Sequence, residues 1–219
     1  MITWNRFFFI SPSSYLMEIV SIINDYVIIF LCSVILLVLF VIMIASLFNF
    51  FNFEFFENHQ LESIWTVVPF ILLTFILIPS LTSLYLLDTC LFCGFTIGVI
   101  GHQWYWRYLY KDFGNLIFDS YMEQSDSRKL RLLEVDNRLI VPSFMPLRFN
   151  ITSADVLHSW RIPALRVKID AVPGRINQFC FSTKRSGVFF GQCSEICGAN
   201  HRFIPIVLES IPFNLLSKF

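Results

Sequence analysis

Charge is scarce in the first part of this chain. Only 15% of its 219 residues are charged, and residues 1–94 hold one basic side chain, Arg6, against the acids Glu18, Asp25, Glu54, Glu57, Glu62 and Asp88. No basic run occurs anywhere. The positive groups of residues 95–219 are scattered among acids, which argues against a nucleic-acid role despite the net +5 of that segment, from 15 basic and 10 acidic groups. The N-terminus, Met1 to Asp25, lacks the basic start, short apolar stretch and small-residue cleavage site of a secretory signal, so it is expected to be retained. Repeats and low-complexity segments are absent too. Small residues are few, with 5 Ala and 8 Gly against 26 Phe and 26 Ile. Such a skew is expected of an A+T-rich gene, such as an organelle's, or of a membrane-driven bias.

Apolar residues are abundant. At 56% hydrophobic and a mean hydropathy of +0.65, the chain exceeds what a soluble domain needs for its core. Residues Tyr26 to Phe48 carry no charge; as a helix rising ~1.5 Å per residue they span about 34 Å, enough for a hydrocarbon layer of ~30 Å. Ile64 to Leu87 is a second such run, and its Pro69 and Pro79 are tolerable in a membrane helix, where neighbours satisfy the freed backbone groups. Two spans put both termini on one side and residues 49–63 on the other. That connection carries Glu54, Glu57 and Glu62 but no Lys or Arg, so a cation count does not mark it as cytoplasmic.

Near Cys90 to Gly94 the texture changes to short alternating segments divided by turn residues, a β pattern. Thr96 to Tyr110 reads as strand, with Trp104, Trp106, Tyr108 and Tyr110 on one face. Arg131–Asp136, Leu147–Thr152, Arg166–Ala171, Gln178–Phe181, Val188–Phe190 and Phe203–Glu209 are further candidates. The reading is an α+β membrane protein: residues 1–94 form an N-terminal segment and a two-helix transmembrane hairpin, and residues 95–219 a Greek-key β-sandwich or barrel.

The densest chemistry lies in Gly191-Gln-Cys-Ser-Glu-Ile-Cys-Gly-Ala-Asn-His201. Cys193, Cys197 and His201 recur every four residues, and Gly191 and Gly198 prevent a long helix through them. Two thiolates and an imidazole suit copper or zinc. A Cys193–Cys197 disulfide, or two buried thiols beside a surface histidine, fits the bare spacing as well. If a metal binds, His158 in Asp155-Val-Leu-His-Ser-Trp160 is the best further donor; His59 and His102 are poorer ones.

The loop resembles the copper-binding loop of the cytochrome c oxidase subunit II family of mitochondrial type. Gly101-His-Gln-Trp-Tyr-Trp106, Phe118-Asp-Ser-Tyr-Met122, Arg131-Leu-Leu-Glu-Val-Asp-Asn-Arg138, Asp155–Trp160 and Asp170-Ala-Val-Pro-Gly-Arg175 match that family as well, and with the hairpin the resemblance covers nearly the whole chain. It implies a cupredoxin-like sandwich with two copper ions, the dinuclear copper A centre, bridged by Cys193 and Cys197 and completed by His158 and His201. The backbone carbonyl of Glu195 is implied as a weak ligand, and its carboxylate as a ligand of a magnesium ion shared with subunit I. The family usually has a methionine three residues after the last histidine as an axial ligand. Here Ile204 stands in its place and cannot coordinate, so a perturbed centre is expected, unless the codon is read as methionine.

Further roles follow from the resemblance. Trp104 matches the point of electron entry beneath docked cytochrome c, where acidic side chains steer the basic partner. Asp112, Asp119, Asp136 and Asp155 keep acidic positions, whereas Leu109, Gly114 and Asn115 do not and Arg107 and Lys111 add positive charge, so weaker steering is expected. Glu62 matches a residue near the mouth of a proton pathway into subunit I, although stabilisation of a helix start explains it equally. The implied protein is the electron-entry subunit of a proton-pumping oxidase in the mitochondrial inner membrane, with its copper domain and both termini in the intermembrane space, surrounded by lipid and other oxidase subunits. Oxygen chemistry is left to subunit I. A structural zinc protein and a copper-free scaffold are the alternatives. Cys90 and Cys93 form a CxxC that the family pattern does not support, and with Cys32 and Cys180 they read as plain buried thiols.

Overall fold

The computed structural model describes residues 10–48, 57–88, 93–112, 114–123 and 130–216. It divides into two compact units, Ile19–Leu86 and the remainder, Met1–Glu18 with Leu87–Phe219.

The first unit is helical. Helix α1 runs over Tyr15–Phe48 and α2 over His59–Asp88. Each opens on a capping side chain: Ser14 Oγ accepts the Met17 amide at 3.1 Å and Asn58 Oδ1 accepts the Leu61 amide at 3.0 Å. Both helices start earlier than the apolar runs. A charge-free criterion finds only the lipid-compatible part of a helix, and Glu18, Asp25 and Glu62 are helical yet remain solvated. Within the runs the hydroxyls of Ser33, Ser46, Thr74 and Thr82 donate to the carbonyl four residues back, hiding their polarity in the helix itself. The apolar side chains point outward, Leu36 at 67% and Phe70 at 70% exposure. Cys32 is among the exposed residues of α1 rather than buried.

Among the described residues the second unit has ten strands: β1 Phe95–His102, β2 Tyr105–Tyr110, β3 Leu116–Ser120, β4 Leu139–Pro142, β5 Leu147–Ser153, β6 His158–Ile162, β7 Val167–Ala171, β8 Asn177–Phe181, β9 Gly187–Gln192 and β10 Pro205–Ile211. They form a five-stranded sheet of order β3-β2-β1-β5-β8, a three-stranded sheet β4-β10-β9 and the pair β6-β7. The pairings β1–β5 and β4–β10 are parallel and join strands far apart in sequence, so the fold is no simple meander. Period-two burial sets the core: Trp106, Tyr108 and Tyr110 point inward from β2, and Leu147, Phe149 and Ile151 from β5. Phe149 stacks on Trp160 and Phe181 at centroid distances of 5.2 and 4.9 Å. Two of the buried rings find internal partners, since Trp160 Nε1 donates to Tyr108 Oη at 3.3 Å and Tyr110 Oη to the Ile140 carbonyl at 2.6 Å, whereas Trp106 Nε1 is buried without a hydrogen-bond partner among the described residues.

Three strand expectations need correction. Thr96–Tyr110 is not one strand but the hairpin β1–β2, with Gln103 and Trp104 in its turn, so Trp104 leaves the face shared by Trp106, Tyr108 and Tyr110. Arg131–Asp136 is a turn with Leu132 at φ 63°, and among the described residues it joins residues 121–123 through the bridge Met122–Val135 and its flanking backbone bonds rather than a strand ladder. Arg166 adopts φ 61° and closes a 3-10 turn, so β7 begins one residue later.

The segment before α1 belongs to the β unit. Ser13 donates its amide to the Ala164 carbonyl at 3.1 Å and accepts the Lys184 amide at 2.8 Å, while Ser14 Oγ donates to Leu165 O at 2.7 Å. Glu18 pairs with Lys184. Strands β6 and β9 approach so closely that a Cβ on Gly191 would lie 1.9 Å from the Arg161 carbonyl oxygen. Only glycine fits there. Gly191→Ala is therefore expected to destabilise the β unit by about 1–3 kcal/mol or more, read from the denaturant midpoint of the detergent-solubilised chain. An unchanged midpoint would contradict the close approach.

Candidate metal centre

Residues 193–200 connect β9 to the 3-10 turn His201–Phe203 that leads into β10. Backbone bonds pin this loop. The Cys193 amide donates to the Ile204 carbonyl at 3.1 Å, and the Ser194 amide to the Ser159 carbonyl of β6 at 3.0 Å, which brings the loop beside His158. Gly198, at φ 123°, turns the chain back, and the His201 amide donates to the Gly198 carbonyl at 3.2 Å.

The result is a compact soft-donor cluster. Ligand atoms of His158, Cys193 and Cys197 lie within 4.8 Å of one another, and all three residues are buried. Cys193 Sγ is 3.9 Å from His158 Nδ1, and Cys197 Sγ is 3.3 Å from His201 Nδ1. The Glu195 carbonyl oxygen stands 3.4 Å from Cys193 Sγ. His201 joins this group through Cys197, and Ile204, 1% exposed, is buried in the same core cluster as both cysteines with an alkyl group that cannot coordinate. The set of two thiols, two imidazoles and a carbonyl fits copper, with no carboxylate in the group to favour a harder ion.

The cluster's electrostatics follow from burial. Desolvation alone would raise the Cys193 thiol, but its bond with His158 and the backbone bonds at Glu195 and Ser159 outweigh this and lower it. Cys197 is pushed up to about 12, by burial first and then by the adjacent Cys193 charge. His158 is pulled down by burial, yet Cys193 and Asp155 carry it above its ordinary value. The first proton leaves Cys193; losing the second requires a compensating cation.

Asp155 orients the site. His158 Nε2 donates to Asp155 Oδ1 at 2.9 Å, which leaves Nδ1 facing the sulfurs. The same carboxylate accepts the amides of Val156 and Gln103, each at 2.6 Å. Gly101 makes room for the imidazole, since a Cβ there would lie 2.9 Å from His158 Cδ2. From the β1–β2 turn, Gln103 Nε2 donates to the Cys197 carbonyl at 2.8 Å, and the Trp104 ring packs on the loop, its Cζ2 3.2 Å from where a Gly198 Cβ would be. Sequence reasoning gave Gly101 and Gln103 no role. Their signal was the placement of Gly and Gln around a histidine and a tryptophan in Gly101–Trp106.

Other predicted residues lie apart from the cluster. His102, Tyr105 and Tyr121 stack in sequence at 4.7 and 4.5 Å. Asp119 accepts two bonds from Arg107, at 2.6 and 3.0 Å, and this pairing holds its carboxyl below the usual range. Asp112 caps the Thr96 amide at 2.7 Å, and Asp136 the Tyr121 amide at 2.8 Å. Glu62 sits in the first turn of α2, 3.5 Å from His59. Cys180 is not a plain buried thiol: it is disulfide-bonded, and Cys93 Sγ stands 2.7 Å from its sulfur. Cys90 and Glu54 lie outside the described residues.

Residues 95–211 match a family model described as the periplasmic domain of cytochrome c oxidase subunit II, and residues 2–83 match its transmembrane domain. Cytochrome c oxidase subunit 2 of Simulium vittatum is 46% identical over 100% of this chain and 97% of its own length; that of Yponomeuta malinellus is 48% identical with the same coverage. The crystal structure of the periplasmic domain of subunit II of cytochrome oxidase of Bradyrhizobium japonicum superposes with a TM-score of 0.55 at 43% identity, covering 58% of this chain and 91% of that one. Its likeness to this β unit makes the fold cupredoxin-like.

The Asp155–His158 bond can be tested directly. Asp155→Ala is expected to weaken copper binding by about 10–100-fold, measured by chelator competition on the purified protein. Equal affinity would show that the carboxylate does not orient a ligand.

Proposed function

The chain belongs to the cytochrome c oxidase subunit II family, and from that premise we propose that its β unit is the electron-entry module of a mitochondrial oxidase, with Cys193, Cys197, His158, His201 and the Glu195 carbonyl as the ligands of two copper ions. The observation that carries this reading is the convergence of His158, Cys193 and Cys197 within 4.8 Å. Bound there, a copper pair supplies a one-electron couple between cytochrome c and the haem of subunit I. The protein's part is to hold the donors still: the loop is tied to β6 and to Ile204, His158 is fixed by Asp155, and the buried Trp106 ring meets His158 edge-on at 5.8 Å. Such rigidity limits the rearrangement that opposes each electron transfer.

Trp104 is the proposed entry point. Its ring packs on the loop at Gly198 while Gln103 holds the Cys197 carbonyl, so the aromatic group of the β1–β2 turn lies against the residue that follows Cys197. The Arg107–Asp119 pair neutralises one acid of the neighbouring strand face, which leaves less negative potential for steering cytochrome c. The Glu195 carboxylate is the proposed contribution to a magnesium ion shared with subunit I. The setting is the mitochondrial inner membrane, with the copper domain and both termini in the intermembrane space, and with lipid and the other subunits around α1 and α2; oxygen reduction and proton pumping belong to the assembled complex.

The deciding measurement is the metal content and paramagnetic spectrum of the purified oxidase. Two copper ions per chain with a mixed-valence signal, abolished in Cys193→Ser, are expected. Zinc, no metal, or a Cys193–Cys197 disulfide in the working complex would overturn the proposal. The buried Ile204 favours one rival, a copper-free scaffold. Peptide mass spectrometry should find Ile at 204, and Ile204→Met should shift the reduction potential and the spectrum; an unchanged spectrum would show that position 204 does not reach the metal. For Glu62, a proposed proton-path residue, Glu62→Gln should slow turnover and proton uptake together, and equal rates would remove it from the path.

A further inference from the structure

Both connections between the β unit and the apolar helices leave from one end of it. At the first, the Ser13 carbonyl, just ahead of α1, accepts the Lys184 amide at 2.8 Å; at the second, the Gly94 amide, just ahead of β1, donates to the Pro146 carbonyl at 2.8 Å. Loops 143–146 and 182–186 are tied together there, since the Phe144 amide donates to the Thr183 carbonyl at 2.9 Å and Ser186 Oγ to Ser143 Oγ at 3.1 Å. The C-terminal turn joins them. The Ser143 amide donates to the Ile211 carbonyl at 2.7 Å, and Phe213 of the short helix α3, Phe213–Leu216, stacks on Phe95 at 6.2 Å. The surface of this end is apolar with a basic border. Phe144 is 71% exposed, and Tyr15, Phe213 and Leu215 are exposed with it. Phe144 also holds φ 61°, a left-handed backbone that a bulky residue adopts only under strain, here to turn its ring away from the core. Arg166, Lys184 and Arg185 are exposed beside these groups, with Glu18 paired to Lys184. Arg166 is placed by Leu165, whose carbonyl accepts Ser14 Oγ at 2.7 Å.

We propose that this end of the β unit docks on the headgroup layer of an anionic phospholipid bilayer. Phe144, Phe213 and Leu215 enter the boundary between headgroups and acyl chains, where aromatic and apolar side chains are favoured, and Arg166, Lys184 and Arg185 attract lipid phosphates. The occupant is a membrane because the chain itself brings one: α1 starts at Tyr15, and both helices are long and apolar enough to cross a bilayer. Phosphate complements the basic border. The β unit is thereby held against the membrane by its own surface as well as by its two connections. The docking rests on those helices crossing a membrane and not on copper, so its failure would leave the metal assignment untouched.

Photolabelling of the intact oxidase provides the test. The complex is placed in nanodiscs of phosphatidylcholine with a minor share of phosphatidylglycerol, one or the other lipid carrying a diazirine beside its headgroup, then irradiated, digested and analysed by tandem mass spectrometry. Peptides holding Phe144, Arg185 and Phe213 should be labelled, and more strongly by phosphatidylglycerol. Arg185→Gln should lower phosphatidylglycerol labelling of these peptides about fivefold, the worth of one cation at an anionic surface, and spare labelling by phosphatidylcholine. Phe144→Gly, which suits a φ of 61° and so keeps the loop, should lower labelling by both lipids. Copper content should be unchanged in both variants. Label confined to α1 and α2, as when another oxidase subunit covers the loops, or equal labelling by the two lipids in the unaltered chain, would overturn the proposal.

Discussion

Two buried thiols and a buried imidazole must be kept within a few ångströms of one another, and most of the β unit's peculiarities follow from that demand. Packing polar sulfur and nitrogen into an apolar interior is unfavourable unless each finds a partner. The chain answers with backbone rather than with more side chains. Ser194 and Cys193 are hydrogen-bonded to β6 and to Ile204, so the loop cannot leave the strand that carries His158. Glycine is placed where side chains would obstruct: Gly191 under the Arg161 carbonyl and Gly101 beneath the His158 ring. A Cβ at either would press on β6, at the Arg161 carbonyl or at the His158 ring, which is why these positions belong to the site although they carry no ligand.

Asp155 extends the same constraint outward. A single carboxylate joins His158, the Val156 amide and the Gln103 amide. The turn that presents Trp104 is thereby fixed to the imbedded imidazole, and Gln103 fixes it again to the Cys197 carbonyl. Geometry at the surface and geometry at the sulfurs are one rigid piece of chemistry. For a proposed electron conduit this matters, since distance and orientation between Trp104 and the loop are held by hydrogen bonds that do not depend on a docked partner.

Much of this was legible in the sequence because it is written locally. Cys193, Cys197 and His201 are close in the chain, and the apolar runs within α1 and α2 need only composition to be seen. Strand alternation exposed β5, where Leu147, Phe149 and Ile151 alternate cleanly. What escaped depended on contacts made across the fold. Trp104 shares the alternation of Trp106 and Tyr108, but the chain turns at Gln103, and no period-two pattern marks a two-residue turn lacking Gly, Pro or Asn. Arg131–Asp136 alternates like a strand yet finds no neighbour for a ladder beyond one bridge. Strand β6 is buried on both faces at His158, Ser159 and Trp160, so its alternation is confined to the exposed Arg161 between Trp160 and Ile162. The meeting of Cys93 with Cys180 is likewise invisible without the β1–β5–β8 order, because neither residue lies in a motif that names the other.

The outer face of the β1–β3 hairpins sets how a partner could be received. Arg107 occupies both oxygens of Asp119, and Asp112 and Asp136 are spent on backbone amides. Asp119, satisfied by a guanidinium, offers little net charge at distance, whereas Asp112 and Asp136 keep their negative charge while bonded to neutral amides, and exposed charges are further screened by salt. This surface also offers aromatic area: the stack of His102, Tyr105 and Tyr121, with Tyr121 45% exposed, centres on Tyr105, the residue that follows Trp104 in the chain. Aromatic rings with few rotatable bonds bind at small entropic cost and tolerate modest changes in a partner's charge. At the proposed entry point, close contact with this aromatic area therefore adds to the attraction over distance that the unpaired acids supply. The rigid anchoring of Trp104 suits it, because a site that depends on close contact needs its contact residue fixed in advance.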